Sequence, residues 1–204
     1  MKKFFLKCLI LVGTSLSVLY GMDNKEIKEQ HEINIPNNIK FNVPYIPQND
    51  NYSCATTSMA MAISYYENLD KPIDKELVWK ISGSDKNDIY KYGNDMEGLK
   101  NIANYYGYKS EYTENMNISD IEYLLSKGVL VIPTITTDNK TLATHSVLVI
   151  GYDKDEKILY INDPDNRQNK ILKYSDFETK WSSAYLSFPR KKANRSGFVV
   201  CPKN

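Results

Sequence analysis

The sequence predicts an α+β domain, with an N-terminal helical part packed on a C-terminal antiparallel β-sheet. Two observations predict it. Across residues 54–127 apolar side chains recur at three- and four-residue spacing, in stretches broken by Gly, Pro and capping residues. After Gly128 the period changes, and β-branched runs alternate with turn residues. Helices first and strands second is the segregation of an α+β fold.

Composition sets the outer bounds. The chain has 204 residues, 42% of them hydrophobic and 25% charged, with a formal net charge of +1. That is enough apolar material for one folded domain, placed at residues 41–204. No basic block stands out, so nucleic acid is not an implied partner. Residues 1–21 read as an export signal: Met1-Lys2-Lys3 is followed by a mostly apolar run to Tyr20 and by the small Gly21. The run is short for a bilayer span and carries Lys7; an uncleaved N-terminal anchor is the alternative. The expected location is therefore periplasmic or secreted. Residues 22–40 are polar and read as a linker, and His31 within them as a solvated histidine.

The elements follow in order. Residues 41–47 are extended and stopped by Pro44 and Pro47. A helix starts at Cys54, with Ser53 or Asn51 as cap, and ends near Leu69. A second helix covers 74–82, capped by Asp74, with Leu77, Val78 and Ile81 as its buried side. A third covers 95–106 and stops at Gly107. A fourth covers 119–127, where Ser119 and Glu122 fit a capping box and Gly128 ends the element. The polar stretch 82–94 reads as a loop over a cleft. Strands are expected at 129–136, 146–152, 157–162, 171–174 and 197–201, with a short helix at 175–181.

Four residues carry the candidate chemistry. A thiol becomes a good nucleophile when a helix N-terminus stabilises its thiolate. Cys54 stands at such a start, with the small residues Ala55, Thr56, Thr57 and Ser58 after it. The competing reading is a buried cysteine acting as a small hydrophobe, which the polar residues 49–53 disfavour. His145 begins a strand and can face that helix as a base; alone, it would read as an ordinary hydrogen-bonded histidine. If 145–152 and 157–163 form a hairpin, Asp163 lies near His145 and can fix its tautomer. Asn162 has the opposite strand parity, and Asp153 sits at the far end. Gln48 can aim its amide at a developing oxyanion, beside the backbone N–H of Cys54. A Cys54–Cys201 disulfide is the alternative use of the thiol in an exported protein. The histidines and cysteines form no convincing zinc set, and the chemistry needs no metal or other cofactor.

The order Gln48, Cys54, His145, Asp163 and the wording around each resemble the papain-like cysteine peptidases, specifically cysteine peptidase family 39 and its stand-alone relatives. The matching pieces are Val43-Pro44-Tyr45-Ile46-Pro47-Gln48, Cys54-Ala55, His145-Ser146-Val147-Leu148-Val149-Ile150-Gly151-Tyr152-Asp153, Tyr160-Ile161-Asn162-Asp163-Pro164, and the Phe177/Trp181 segment. The resemblance implies a papain-like fold, with Cys54 as nucleophile, His145 as general base, Asp163 as orienting acid and Gln48 as oxyanion donor. It implies a peptide or protein substrate. The family's best-known members remove double-glycine leaders and are fused to transporters; this sequence has Cys-Ala where they carry Cys-Gly. The same triad would also serve an acyltransferase, a deamidase or a transglutaminase-like enzyme. A non-catalytic peptide-binding module is the reading from a different class.

Overall fold

The computed structural model describes residues 35–69, 71–83, 96–138, 143–165, 167–186 and 191–203. The expected export signal, most of the linker, His31, and residues 84–94 of the expected loop lie outside these residues. The helices are α1 (Cys54–Tyr66), α2 (Lys75–Ser82), α3 (Met96–Tyr105), α4 (Ile118–Ser126) and α5 (Tyr174–Ser182). The strands are β1 (Asn38–Lys40), β2 (Lys109–Thr113), β3 (Leu130–Asp138), β4 (Ala143–Ser146), β5 (Leu148–Asp153), β6 (Ile158–Asp163), β7 (Arg167–Lys173), β8 (Tyr185–Leu186), β9 (Lys191–Lys192) and β10 (Gly197–Cys201). The main sheet runs β2-β10-β3-β5-β6-β7, with β1 added to β5 and β4 to β3; every pairing is antiparallel.

Helix α1 is the centre of the packing. Residues 55–64 are all buried, including Thr56, Thr57, Ser58 and Ser64. Such all-round burial needs small side chains, and Ala, Ser and Thr supply them. The helix meets α2 and α3, and also β3, β4 and β5. Its buried hydroxyls are partnered. Ser64 donates to the Ala60 carbonyl at 2.7 Å and accepts from the Ile73 N–H at 3.0 Å. At the far end, the Tyr66 hydroxyl accepts from the Leu130 N–H and lies 2.7 Å from the Val200 carbonyl, bolting α1 to two strands.

Several sequence expectations shift by a residue or an element. Leu77 is 43% exposed, and the buried face of α2 is Val78, Trp79 and Ser82. The eight-residue helix is turned by one residue, so that Val78, Trp79 and Ser82 face inward where Leu77, Val78 and Ile81 were expected to. The capping box of α4 is made by Asn117 and Asp120, not by Ser119 and Glu122. Asn117 accepts the Asp120 N–H at 3.0 Å and Asp120 accepts the Asn117 N–H at 2.9 Å. Strand β2 has no counterpart in the sequence reading. It is an edge strand with an exposed polar face, paired on its one neighbour to β10, and its polarity hides it. Gly107 and Gly128 end α3 and α4 as expected, both with positive φ.

The polar segment read as a linker does not stay loose to residue 40. Its last residues form β1, registered on β5 through Ile39 and Tyr152. Gly151 allows this approach. A Cβ there would stand 2.2 Å from the Ile39 carbonyl oxygen, inside any permissible contact.

The 145–152 segment is split. β4 pairs with β3, where Ile135 faces His145. The ladder breaks at Val147, and β5 continues beside β6, with Leu148 facing Asn162. The hairpin register brings the end of β6 beside the break, as the site requires.

Candidate active site

Asp50 launches α1. Its Oδ1 accepts the Tyr52 N–H at 2.9 Å and the Ser53 N–H at 2.7 Å; Oδ2 accepts the Ser53 hydroxyl at 2.8 Å. Ser53 stands at the N-cap position, but its side chain makes no cap bond because Asp50 holds it. The cap expected of Ser53 or Asn51 is thus replaced by an aspartate turn ahead of it. An aspartate three residues before the N-cap was the available signal. Replacing Asp50 with alanine strands three donors; the expected cost is about 1–3 kcal/mol of stability by chemical denaturation. Asp50→Asn, which keeps one acceptor, loses less.

Cys54 is a free thiol, half-buried, on the first residue of α1. The alternative bridge to Cys201 is therefore not formed; Cys201 lies buried in β10. Burial pushes the Cys54 thiol up. His145 outweighs it by hydrogen bond and charge, aided by the backbone N–H groups of Ser146 and Ala55, and the net shift is below the usual thiol range. The Ser58 hydroxyl, one turn along, donates to the Ser146 carbonyl at 3.3 Å and ties α1 to the end of β4.

His145 is 7% exposed. Its Nε2 lies 2.6 Å from Asp163 Oδ1, so Nδ1 is the ring nitrogen left for Cys54. Burial disfavours its charged form. Hydrogen bonds to Asp163 and Cys54, and their charges, prevail and raise it to about 9. Asp163 is 6% exposed. Burial pushes its carboxyl up, but His145 and Lys170 hold it down at about 2. The Asp165 N–H adds a bond to Oδ1 at 3.1 Å and Lys170 Nζ one to Oδ2 at 3.0 Å. Asn162 points elsewhere, as strand parity requires: its side chain donates to the Val43 carbonyl at 3.3 Å and accepts the Asn169 N–H at 3.0 Å. Asp153 sits at the other end of the β5–β6 hairpin, opposite Ile158.

Gln48 is stapled to the same corner. Its backbone N–H donates to the Pro164 carbonyl at 2.8 Å, and its Nε2 donates to the Asp50 carbonyl at 2.9 Å. One amide hydrogen stays available. Its Oε1 is buried without a partner among the described residues. The Tyr45 hydroxyl donates to the Asp163 carbonyl at 3.1 Å. The structure thus brings Cys54, His145 and Asp163 into one hydrogen-bonded line, with Gln48 held by its backbone to Pro164 and by its side chain to Asp50 ahead of α1. Sequence reasoning missed Lys170 and Tyr45, whose roles depend on strand register and on the docking of the lead-in segment.

Residues 40–187 match the model of the Peptidase_C39 like family. The chain belongs to that family. No curated protein matches it. Among solved structures, this C39-like chain is similar to a C39-like peptidase from Bacillus anthracis, with 18% identity, TM-score 0.59, and 80% of this chain and 96% of that one covered. It is similar to the peptidase domain of Streptococcus ComA, a bi-functional ABC transporter of a quorum sensing pathway: 16% identity, TM-score 0.55, 78% and 97% covered. A third likeness is to a double glycine motif protease from an AMS/PCAT transporter, in complex with its leader peptide: 20% identity, TM-score 0.54, 80% and 94% covered. These likenesses establish the fold as the α+β, papain-like one of the cysteine peptidases.

Proposed function

We propose that this C39-like chain is a cysteine peptidase acting through Cys54, His145 and Asp163. The observation that carries the reading is the free Cys54 thiol at a helix start, hydrogen-bonded to an imidazole whose other nitrogen is 2.6 Å from a buried carboxylate. The Cys54 thiolate attacks the peptide carbonyl carbon and forms the C–S bond. The oxyanion takes the spare Gln48 amide hydrogen and the Cys54 backbone N–H, one of the unpaired donors of the α1 start. The C–N bond breaks as His145 gives its proton to the leaving amine. His145 then removes a proton from water, which attacks the thioester and releases the thiolate. Asp163 keeps the imidazole turned toward the sulfur throughout.

The peptide-bound neighbour supports a peptide substrate, and the charged-then-apolar residues 1–21 support export of the activity. The test is a peptide library exposed to wild type beside Cys54→Ala. Wild type cuts a subset and Cys54→Ala none. A library left intact by a wild type whose Cys54 is rapidly alkylated moves the reading to acyl transfer or deamidation. An intact library together with a slow thiol leaves a binding module.

A further inference from the structure

Lys170 reaches the site from β7 and touches none of the reacting atoms. Its Nζ is 3.0 Å from Asp163 Oδ2, while Oδ1 faces His145. The lysine side chain is 29% exposed and the aspartate side chain 8%. The two carboxylate oxygens are thus divided between two cations.

The division decides what Lys170 can do. Aiming Oδ1 at the imidazole does not depend on it, because the Asp165 N–H holds that same oxygen at 3.1 Å. The backbone of Asp163 is set on one side by its pairing with Arg167 in β7, one residue past the last β5–β6 pair, Leu148 with Asn162. What Lys170 adds is charge. A carboxylate shared with a second cation presents less negative potential to the first. We infer that Lys170 is a positioning residue for the Asp163–His145 pair: it takes up part of the carboxylate's charge on the oxygen His145 does not use, and so limits how tightly the imidazole holds its proton. The inference rests on the peptidase reading for its purpose, since His145 must release that proton to a leaving amine in every turnover.

Among the described residues, the charged groups that shift the pair are these. His145 comes from β4, Cys54 from α1 and Lys170 from β7; Asp165, in the turn after β6, contributes a backbone N–H. Removing Lys170 should therefore strengthen the hold of Asp163 on the imidazolium.

The experiment is an NMR titration of the His145 ring signal in wild type, Lys170→Met and Lys170→Arg, without substrate. The other histidine is His31, so assignment needs one control, His145→Ala. The wild-type midpoint is expected at about 9. Lys170→Met should raise it by about half a pH unit or more, and Lys170→Arg should leave it near wild type. A midpoint unmoved or lowered in Lys170→Met overturns the inference. Lys170→Gln serves in its place if the methionine variant does not fold. Because no substrate is present, a wild type that cuts no peptide sinks the peptidase reading without touching this result.

Discussion

Replacing His145 with alanine should cut peptide hydrolysis by about 10²–10⁴-fold, the span a positioned acid–base group contributes. It should also change Cys54 in a way visible without substrate. The first effect acting on the thiol is burial, which opposes ionisation; His145 supplies the main counterweight. Without it the thiol should titrate back toward the ordinary range near ~8.5 or above. Alkylation of Cys54 at neutral pH slows accordingly and recovers as the pH is raised. The wild-type profile follows from the same pair. Activity rises as the pH climbs through the lowered Cys54 value. It falls again near 9, where His145 loses the proton it must deliver. If His145→Ala were alkylated with the wild-type pH dependence, the thiolate–imidazolium pair would be refuted.

Trp181→Ala should have the largest effect on stability. Trp181 is fully buried on α5, 5.1 Å ring to ring from Phe177, and its indole N–H donates to the Ser196 carbonyl at 2.8 Å. The helix packs on β3, β6 and β7, the strands beneath the site. Truncation opens a cavity and leaves that carbonyl without its donor. The expected loss is about 3–5 kcal/mol in chemical denaturation, or on the order of 10 °C in Tm. Activity per folded molecule should stay close to wild type at low temperature, because the ring and hydrogen-bond partners of Trp181, Phe177 and the Ser196 carbonyl, are not site residues. A loss below about 1 kcal/mol would show that α5 is not part of the cooperative core.

What the sequence made legible follows from how local each signal is. The α1 start, the long apolar strands and the α+β order depend on spacing within a few residues, and they were readable. Cys54, His145 and Asp163 were readable as candidates because the hairpin between β5 and β6 follows from one short turn. The break at Val147 was not, since an uninterrupted apolar run does not say where pairing on β3 alone gives way to pairing on β3, β6 and β1. Strand β2 was hidden because its pairing partner, β10, lies at the other end of the chain. Lys170 was invisible for the same kind of reason: seven residues from Asp163 in sequence, it meets the carboxylate only once the β6–β7 register is known. Leu77 misled because a short helix leaves its apolar stripe free to turn by one residue.

Three bonds described above span nearly the same sequence distance. Asn162 to Val43 and Tyr45 to Asp163 cross 119 and 118 residues, and Gln48 closes on Pro164 beside them. The lead-in to α1 and the end of β6 are thus joined by segments far apart in sequence, contacts that carry a high loop-entropy cost. A chain still emerging, with α1 made but β6 not yet laid down, holds Cys54 without Asp163 to complete the line. On the proposed peptidase reading, competence to cut arrives only with closure of the whole domain.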